Sequence, residues 1–311
     1  MVKVYRTDDR MIHEKDNIDD GVWIHMVDPT AEESQQVADV LDVDVADIRA
    51  ALDEEESSRI ELEDGYTLIL IDVPSPEIRH EKMMYTTIPL GIILTQNVIV
   101  TVCTEELPVL QSFINNKVKE FSTKKKLRFV YQILYRTTMV YQGNLRTIDK
   151  RRTEIEERVG NDTREDDLIA LHELESTLVY FATSLRANAN VMDRLTRYKR
   201  LEQYPEDKEL LDDVIVENKQ AVEMAMIYRD IINGTRELMS SVIDQRLNNT
   251  MKYLTSITLI MAVPTIISGI MGMNIINLPF ADSPYGFAII IGIIVTICAG
   301  MMFGLKKLKI L

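Results

Sequence analysis

Two cysteines, one tryptophan and four histidines are all that this 311-residue chain holds of those three residue types. Cys103 and Cys298 cannot build a disulfide framework. His13, His25, His80 and His172 are too scattered to suggest a metal cluster. None of the 12 glycines forms a phosphate-cradling loop. Together these absences argue against an enzyme. Basic residues are also scarce: 35 Lys and Arg against 49 Asp and Glu give a formal net charge of −14. That balance argues against nucleic acid as a partner and favours accumulation of cations near the surface. The first residues lack the basic, apolar and small-residue succession of a signal peptide. The soluble part is therefore expected in the cytoplasm, where free thiols suit a reducing compartment.

Proline is nearly missing from the middle of the chain, with only Pro205 between Pro108 and Pro264. Charged and apolar residues recur there at helical spacing, which predicts long helices over 124–159, 164–200 and from Glu206 into the carboxy-terminal segment. Turns are expected at 160–162 and 204–205. The last helix should run for about 65 residues, since the lone Gly234 costs only about 1 kcal/mol. Before Pro108 the pattern is mixed. Strands are expected at 2–5, 22–26, 59–62, 66–73, 83–94 and 98–104, with a capping box at Thr30 to Glu33 opening one helix and Asp44 opening another. The fold class is thus an α+β cytoplasmic domain, a mixed β-sheet with flanking helices, followed by long helices. The division expected is an α/β domain at 1–105, a long-helix region at 106–250 and a transmembrane domain at 251–311.

Two apolar runs, Tyr253 to Met273 and Gly286 to Leu305, close the chain. Each has about 20 residues, enough at 1.5 Å per residue to cross a hydrocarbon layer of roughly 30 Å. The competing reading, a hairpin buried in a soluble core, conflicts with the second run being apolar on every side. Lys252 precedes the first span and Lys306, Lys307 and Lys309 follow the second, while the loop at 274–285 has no Lys or Arg. Both termini should face the cytoplasm of a multi-pass protein in the cell membrane.

Stepping along the last helix by alternate fours and threes gives Glu237, Ser241, Asp244, Asn248, Met251, Thr255, Thr258, Ala262, Thr265 and Gly269. Such a repeat drifts by only about 20° per heptad, so these residues share a face. A coiled-coil seam would be Leu, Ile or Val. This one is acidic, amide, hydroxyl or small, apart from Met251. Polar groups in a span face a bundle interior or a wet cavity, and one stripe cannot enclose a cavity. Several copies around an axis could, which points to a homo-oligomeric pore. The other reading is that the threonines bond their own i−4 carbonyls and serve helix packing. Pro264 leaves the carbonyl of Ile260 without its intrahelical donor and permits a modest kink. Gly300 and Gly304 could form a close-contact pair.

Gly272-Met273-Asn274 lies at the outer end of the first span. Together with the Lys-rich tail, Trp23, Asp28-Pro29-Thr30 and Glu32-Glu33 in the early region, and the long helices, it resembles the CorA family of divalent-cation channels. That resemblance implies a funnel-shaped homopentamer that takes up Mg2+, with Co2+ or Ni2+ as further substrates. It also implies a selectivity filter of Gly272, Met273 and Asn274, with five Asn274 carbonyls ringing the outer mouth. Gly269, Thr265, Met251 and Asn248 carry over to the pore wall, Leu254 to a hydrophobic constriction and Glu237 to a cytoplasmic narrowing. Ala262 stands where the family can place a methionine.

Regulatory Mg2+ sites between subunits carry over to Asp47, in Val45-Ala46-Asp47-Ile48, and to Asp213. Ala46 replaces the family's Glu, which puts a second ion there in doubt. The external loop departs from the family run Met-Pro-Glu-Leu, having Leu278-Pro279-Phe280-Ala281 and a single acid, Asp282. The zinc-transporting branch shares the tripeptide, so Zn2+ is the alternative cargo. A membrane-anchored signalling or scaffold protein is the alternative from another class. Partners implied are copies of the chain itself, the lipid bilayer and divalent cations.

Overall fold

The computed structural model describes all residues except 10, 80–81, 159–164, 198–204, 274–278, 281–283 and 309–311. His80, Lys309, Asn274 and Asp282, and the turns at 160–162 and 204, therefore lie outside the described residues. The chain forms two compact units. One comprises Met1–Arg158 and Arg164–Arg236, and the other includes Glu237–Leu311.

The first unit is built on a seven-stranded mixed sheet: β1 (Val2–Asp8), β2 (Met11–Lys15), β3 (Trp23–Val27), β4 (Arg59–Leu62), β5 (Thr67–Arg79), β6 (Lys82–Leu94) and β7 (Ile99–Cys103). Their spatial order is β2-β1-β3-β7-β6-β5-β4. The central pair β3 and β7 is parallel, with Trp23 opposite Ile99 and Val27 opposite Cys103, and the other neighbours are antiparallel. Every residue of β3 and β7 is buried, as expected of strands covered on both faces. The alternation of side chains assigns Trp23, Val27, Ile99 and Cys103 to one core and Ile24, Met26, Val100 and Val102 to the other.

Helix α1 (Ala31–Leu41) opens with the predicted capping box: Glu33 N–H donates to Thr30 Oγ1 (3.1 Å), and Thr30 N–H to Glu33 Oε2 (2.9 Å). Asp44 caps the short α2 (Val45–Arg49) through its side chain and Ala46 N–H (2.8 Å). Helices α3 (Pro108–Ile114), α4 (Lys126–Glu156) and α5 (Glu165–Thr196) follow. Asn188 Nδ2 and Tyr141 Oη both donate to Asp72 O, at 2.8 and 3.1 Å, fastening α5 and α4 to β5.

Strands β5 and β6 run past their partners. β4 pairs only with Thr67–Leu70 and β7 only with Gly91–Leu94, whereas β5 and β6 stay paired from Thr67–Leu94 to Arg79–Lys82. Pro74, Pro76 and Pro89 fall in this two-stranded extension, where a missing N–H breaks no ladder with a third strand. The strand expected at 66–73 thus continues to Arg79.

Trp23 is fully buried and anchors one core. Its ring centroid lies 5.0 Å from that of Phe129, 5.3 Å from Tyr5 and 6.3 Å from Phe121. Trp23 Nε1 donates to Thr101 Oγ1 (2.8 Å), and His25 Nδ1 lies 3.0 Å from the same oxygen. His25 is 1% exposed. Burial first, and Lys3 nearby second, push its pKa down to about 4 from 6.5.

Because the folded value is depressed, His25 contributes stability above pH 6.5 that is lost as pH falls towards 4. The unfolded chain takes up the proton first, and the full loss is about 3 kcal/mol. We expect the thermal midpoint of the detergent-solubilised protein to fall over that window, and a His25→Gln variant to show a shallower slope. Equal slopes would remove His25 as the cause.

Helix α6 runs without interruption from Pro205 to Met271, 67 residues, through both Gly234 and Pro264. Its residues to Arg236 belong to the first unit and those from Glu237 to the second. Helix α7 (Gly286–Lys307) completes the second unit. α6 and α7 each contain an 18-residue window of mean hydropathy 1.9 and 2.5, of which 6% and 0% is buried. Neither window has the covered surroundings of a soluble core helix, so the buried-hairpin reading fails.

Candidate functional site

Helix geometry separates two faces of α6 in the second unit. At 3.6 residues per turn, Met251, Thr255, Thr258, Ala262, Thr265 and Gly269 stay within about 40° of a common line. All are exposed in the protomer except Ala262, which is half-buried. Glu237, Ser241, Asp244, Asn248 and Leu254 are exposed too. Ser256 is buried, and Ile260, Val263, Pro264, Ile267 and Met271 are partly covered. This second set centres roughly 160° round the helix from the stripe. On α7, Ile290, Ile294, Cys298, Met301, Gly304 and Leu305 are the partly covered positions, recurring at helical spacing. Cys298 Sγ lies 3.7 Å from Ile260 O, so α7 meets α6 on the side away from the stripe. The polar stripe is left uncovered by the chain's own second span.

The two readings of the threonines prove compatible. Thr258 Oγ1 donates to Leu254 O (2.8 Å) and Thr265 Oγ1 to Met261 O (2.9 Å). A hydroxyl whose proton is committed to its own helix still carries acceptor lone pairs. What these side chains offer outward is therefore oxygen, the right polarity for a cation or its water shell.

At the end of α6, Gly272 N–H bonds Ser268 O (3.0 Å) and Met273 N–H bonds Ile270 O (3.2 Å). Both residues form the turn that leaves the helix. Gly272 does not occupy a left-handed conformation, so its role there is not torsional. Met273 is exposed.

The two regulatory candidates differ. Asp47, in the first turn of α2, is half-buried, and its Oδ2 accepts a hydrogen bond from Tyr66 Oη (2.6 Å). Burial and that bond push the Tyr66 phenol up to about 12. Asp213, on α6, is exposed. Among the described residues, no group of three or more His, Cys, Asp or Glu could hold a metal ion. The histidines among the described residues form no such group either, and His25 is a core residue.

Comparison with known proteins supplies the family. The profile described as "CorA-like Mg2+ transporter protein" matches residues 19–307, nearly the whole chain. This chain belongs to the CorA-like Mg2+ transporter family. Membership places it among transport proteins rather than enzymes. The Cobalt/magnesium transport protein CorA of Methanocaldococcus jannaschii is 30% identical over 280 residues, 89% of this chain and 87% of its own length. The complete structure of the CorA magnesium transporter from the same organism superposes with a TM-score of 0.83 at 27% identity, covering 99% of this chain and 98% of that one. The ZntB cytoplasmic domain from Vibrio parahaemolyticus shares the fold alone, with a TM-score of 0.52 at 12% identity over 76% of this chain and 97% of that one. The CorA likeness thus extends over the sheet, the long helices and both apolar helices.

Proposed function

We propose that this CorA-family chain is a divalent-cation channel that mediates Mg2+ uptake, with Co2+ and Ni2+ as further cargo, through a pore lined by α6 of five identical protomers. The observation that carries this reading is the uncovered stripe. In a bilayer, an exposed row of hydroxyl, amide and small residues is stable only against a wet cavity or other helices. The chain's own α7 lies on the opposite side of α6, so copies of α6 are the natural partners. Along this path Glu237 narrows the cytoplasmic end, Leu254 belongs to an apolar constriction, and Asn248, Met251, Thr255, Thr258, Ala262, Thr265 and Gly269 line the wall. At the outer mouth, Gly272 and Met273 hold a ring of Asn274 carbonyls. Mg2+ gives up its waters reluctantly, so neutral oxygens can receive the hydrated ion. A ring of carboxylates would hold it against release. Asp282 is the one acid of the external loop and would concentrate cations there. The division of labour follows the chain: 1–105 and 106–250 sense cytoplasmic Mg2+, and 251–311 conducts, with both termini cytoplasmic in the cell membrane.

Asp47 and Asp213 are proposed to bind Mg2+ across a subunit boundary and to hold the pore shut. The fixing of the Asp47 carboxylate by Tyr66 supports this reading. An Asp213→Ala variant should need severalfold more Mg2+ for protection against limited proteolysis, because one oxygen donor per site is lost. Unchanged protection would take Asp213 out of the site.

The test of the function is ion uptake into liposomes carrying the purified protein, with Zn2+ competing against Mg2+. Preferential Zn2+ flux would move the chain to the zinc-transporting alternative, and no flux would leave it a membrane-anchored scaffold. Thr265→Leu replaces an outward oxygen with a bulkier apolar group and should cut Mg2+ flux severalfold while leaving the melting profile intact. Parental flux in that variant would count against a lining role.

A further inference from the structure

Pro264 has no N–H, so the carbonyl of Ile260, four residues earlier in α6, lacks its helical donor. Within a hydrocarbon layer no bulk water can serve that oxygen, and an unmet backbone carbonyl there is costly. The nearby hydroxyl of Thr265 is turned to Met261 O instead. The group that does reach Ile260 O belongs to the other span: Cys298 Sγ, at 3.7 Å. A thiol is a weak donor, but sulfur contacts are long, and this one is aligned on the orphaned oxygen. Ile260, Pro264 and Cys298 are all partly covered, so the contact lies in the seam between α6 and α7. It sits on the side of α6 opposite Thr258, Ala262 and Thr265.

We propose that Cys298 is a positioning residue for the ion path: its S–H takes the place of the N–H that Pro264 lacks and fastens α7 to the pore helix at its proline break. The contact ties the back of α6 to the outer helix at the level where Thr258, Ala262 and Thr265 face the axis. Loss of the donor lets the bend at Pro264 vary, and with it the spacing of the stripe. Alanine at 298 removes the donor, serine keeps one, and alanine at 264 restores the helix's own N–H and makes the thiol redundant.

The functional part of this inference rests on the reading of α6 as the pore lining, and two measurements keep the two apart. The first is the infrared S–H stretch of Cys298, isolated as the difference between the full-length protein and Cys298→Ala in lipid. A band displaced to the lower frequency of a hydrogen-bonded thiol is expected. A band at the position of a free thiol overturns the inference whatever the flux.

The second is Mg2+ uptake into liposomes. Cys298→Ala should lower flux about two- to fivefold, the range expected of one weak hydrogen bond, while Cys298→Ser stays near the parent. In a Pro264→Ala background the Cys298→Ala change should have no further effect. An equal loss in both backgrounds overturns the coupling. If the parent itself passes no Mg2+ while the S–H band is displaced, the channel reading fails and the interspan contact stands.

Discussion

Asn274→Ala is expected to abolish selective Mg2+ uptake by proteoliposomes, with flux down about a hundredfold or more. The reasoning is one of multiplicity. A single amide carbonyl that accepts from the water shell of an ion contributes about 0.5–1.5 kcal/mol. The proposed ring of five would lose all its oxygens at once, several kcal/mol together, and each 1.4 kcal/mol is roughly a factor of ten. The substitution leaves Gly272 and Met273, which form the turn after α6, untouched, so the protein should still be membrane-inserted and, on the proposed reading, oligomeric by cross-linking. The channel assignment is falsified if uptake by Asn274→Ala matches the parent, because a tethering protein has no use for that amide. Asn274→Asp supplies the complementary measurement: five carboxylates should bind the cation more tightly and slow its release. A flux that rises in Asn274→Asp would contradict the idea that neutral oxygens were chosen for passage.

The second large effect is on the fold. Trp23→Ala should destabilise the first unit by about 3–5 kcal/mol, the range for deleting a buried indole. Trp23 is wholly inaccessible, rests against Tyr5, Phe121 and Phe129, and ties β3 to β7 through Thr101. Removing it opens a cavity where the rings met and takes a donor from a buried hydroxyl. Trp23→Phe helps to separate the two contributions, since it keeps one aromatic ring but loses the N–H and part of the indole volume, the hydrogen bond contributing about 1 kcal/mol beyond repacking. Denaturant melts followed by circular dichroism would measure both, as Trp23 is the only tryptophan and its own fluorescence disappears on substitution. A loss under about 1 kcal/mol for Trp23→Ala would mean the aromatic cluster is not a stabilising centre of the sheet.

Much of this architecture is visible in the residues because the local signals agree with the global fold. Thr30 and Glu33 form the capping box they spell, Asp44 caps α2, and strands β3, β4, β6 and β7 fall within a residue of where they are expected. The proline-poor stretch becomes α4, α5 and α6, with α6 ending at Met271. What escaped notice had a physical reason. β2, Met11–Lys15, is an edge strand with four of five side chains exposed, so no apolar pattern marks it. α3 is only seven residues and hides behind Pro108 at its start. β5 continues past Pro74 because no third strand asks for its N–H.

The stripe on α6 was legible because its 3.5-residue period is a property of one helix. Which flank of that helix α7 covers was not, since it depends on rotation about the helix axis. The partnership of Cys298 with Ile260 O was equally hidden: the thiol and the carbonyl are 38 positions apart. Asp47 and Asp213 rest on the family resemblance alone, because carboxylates proposed to act only with a neighbouring copy leave no local pattern.

The ribbon formed by β5 and β6 beyond their neighbours bears on how such chains crowd together during synthesis. Bare strand margins invite foreign strands to dock by backbone pairing. Here Pro74 and Pro76 punctuate one margin and Pro89 the other, so an incoming strand would meet gaps in the row of donors. The ribbon is therefore a poor template for pairing the sheet of one newly made copy with that of another.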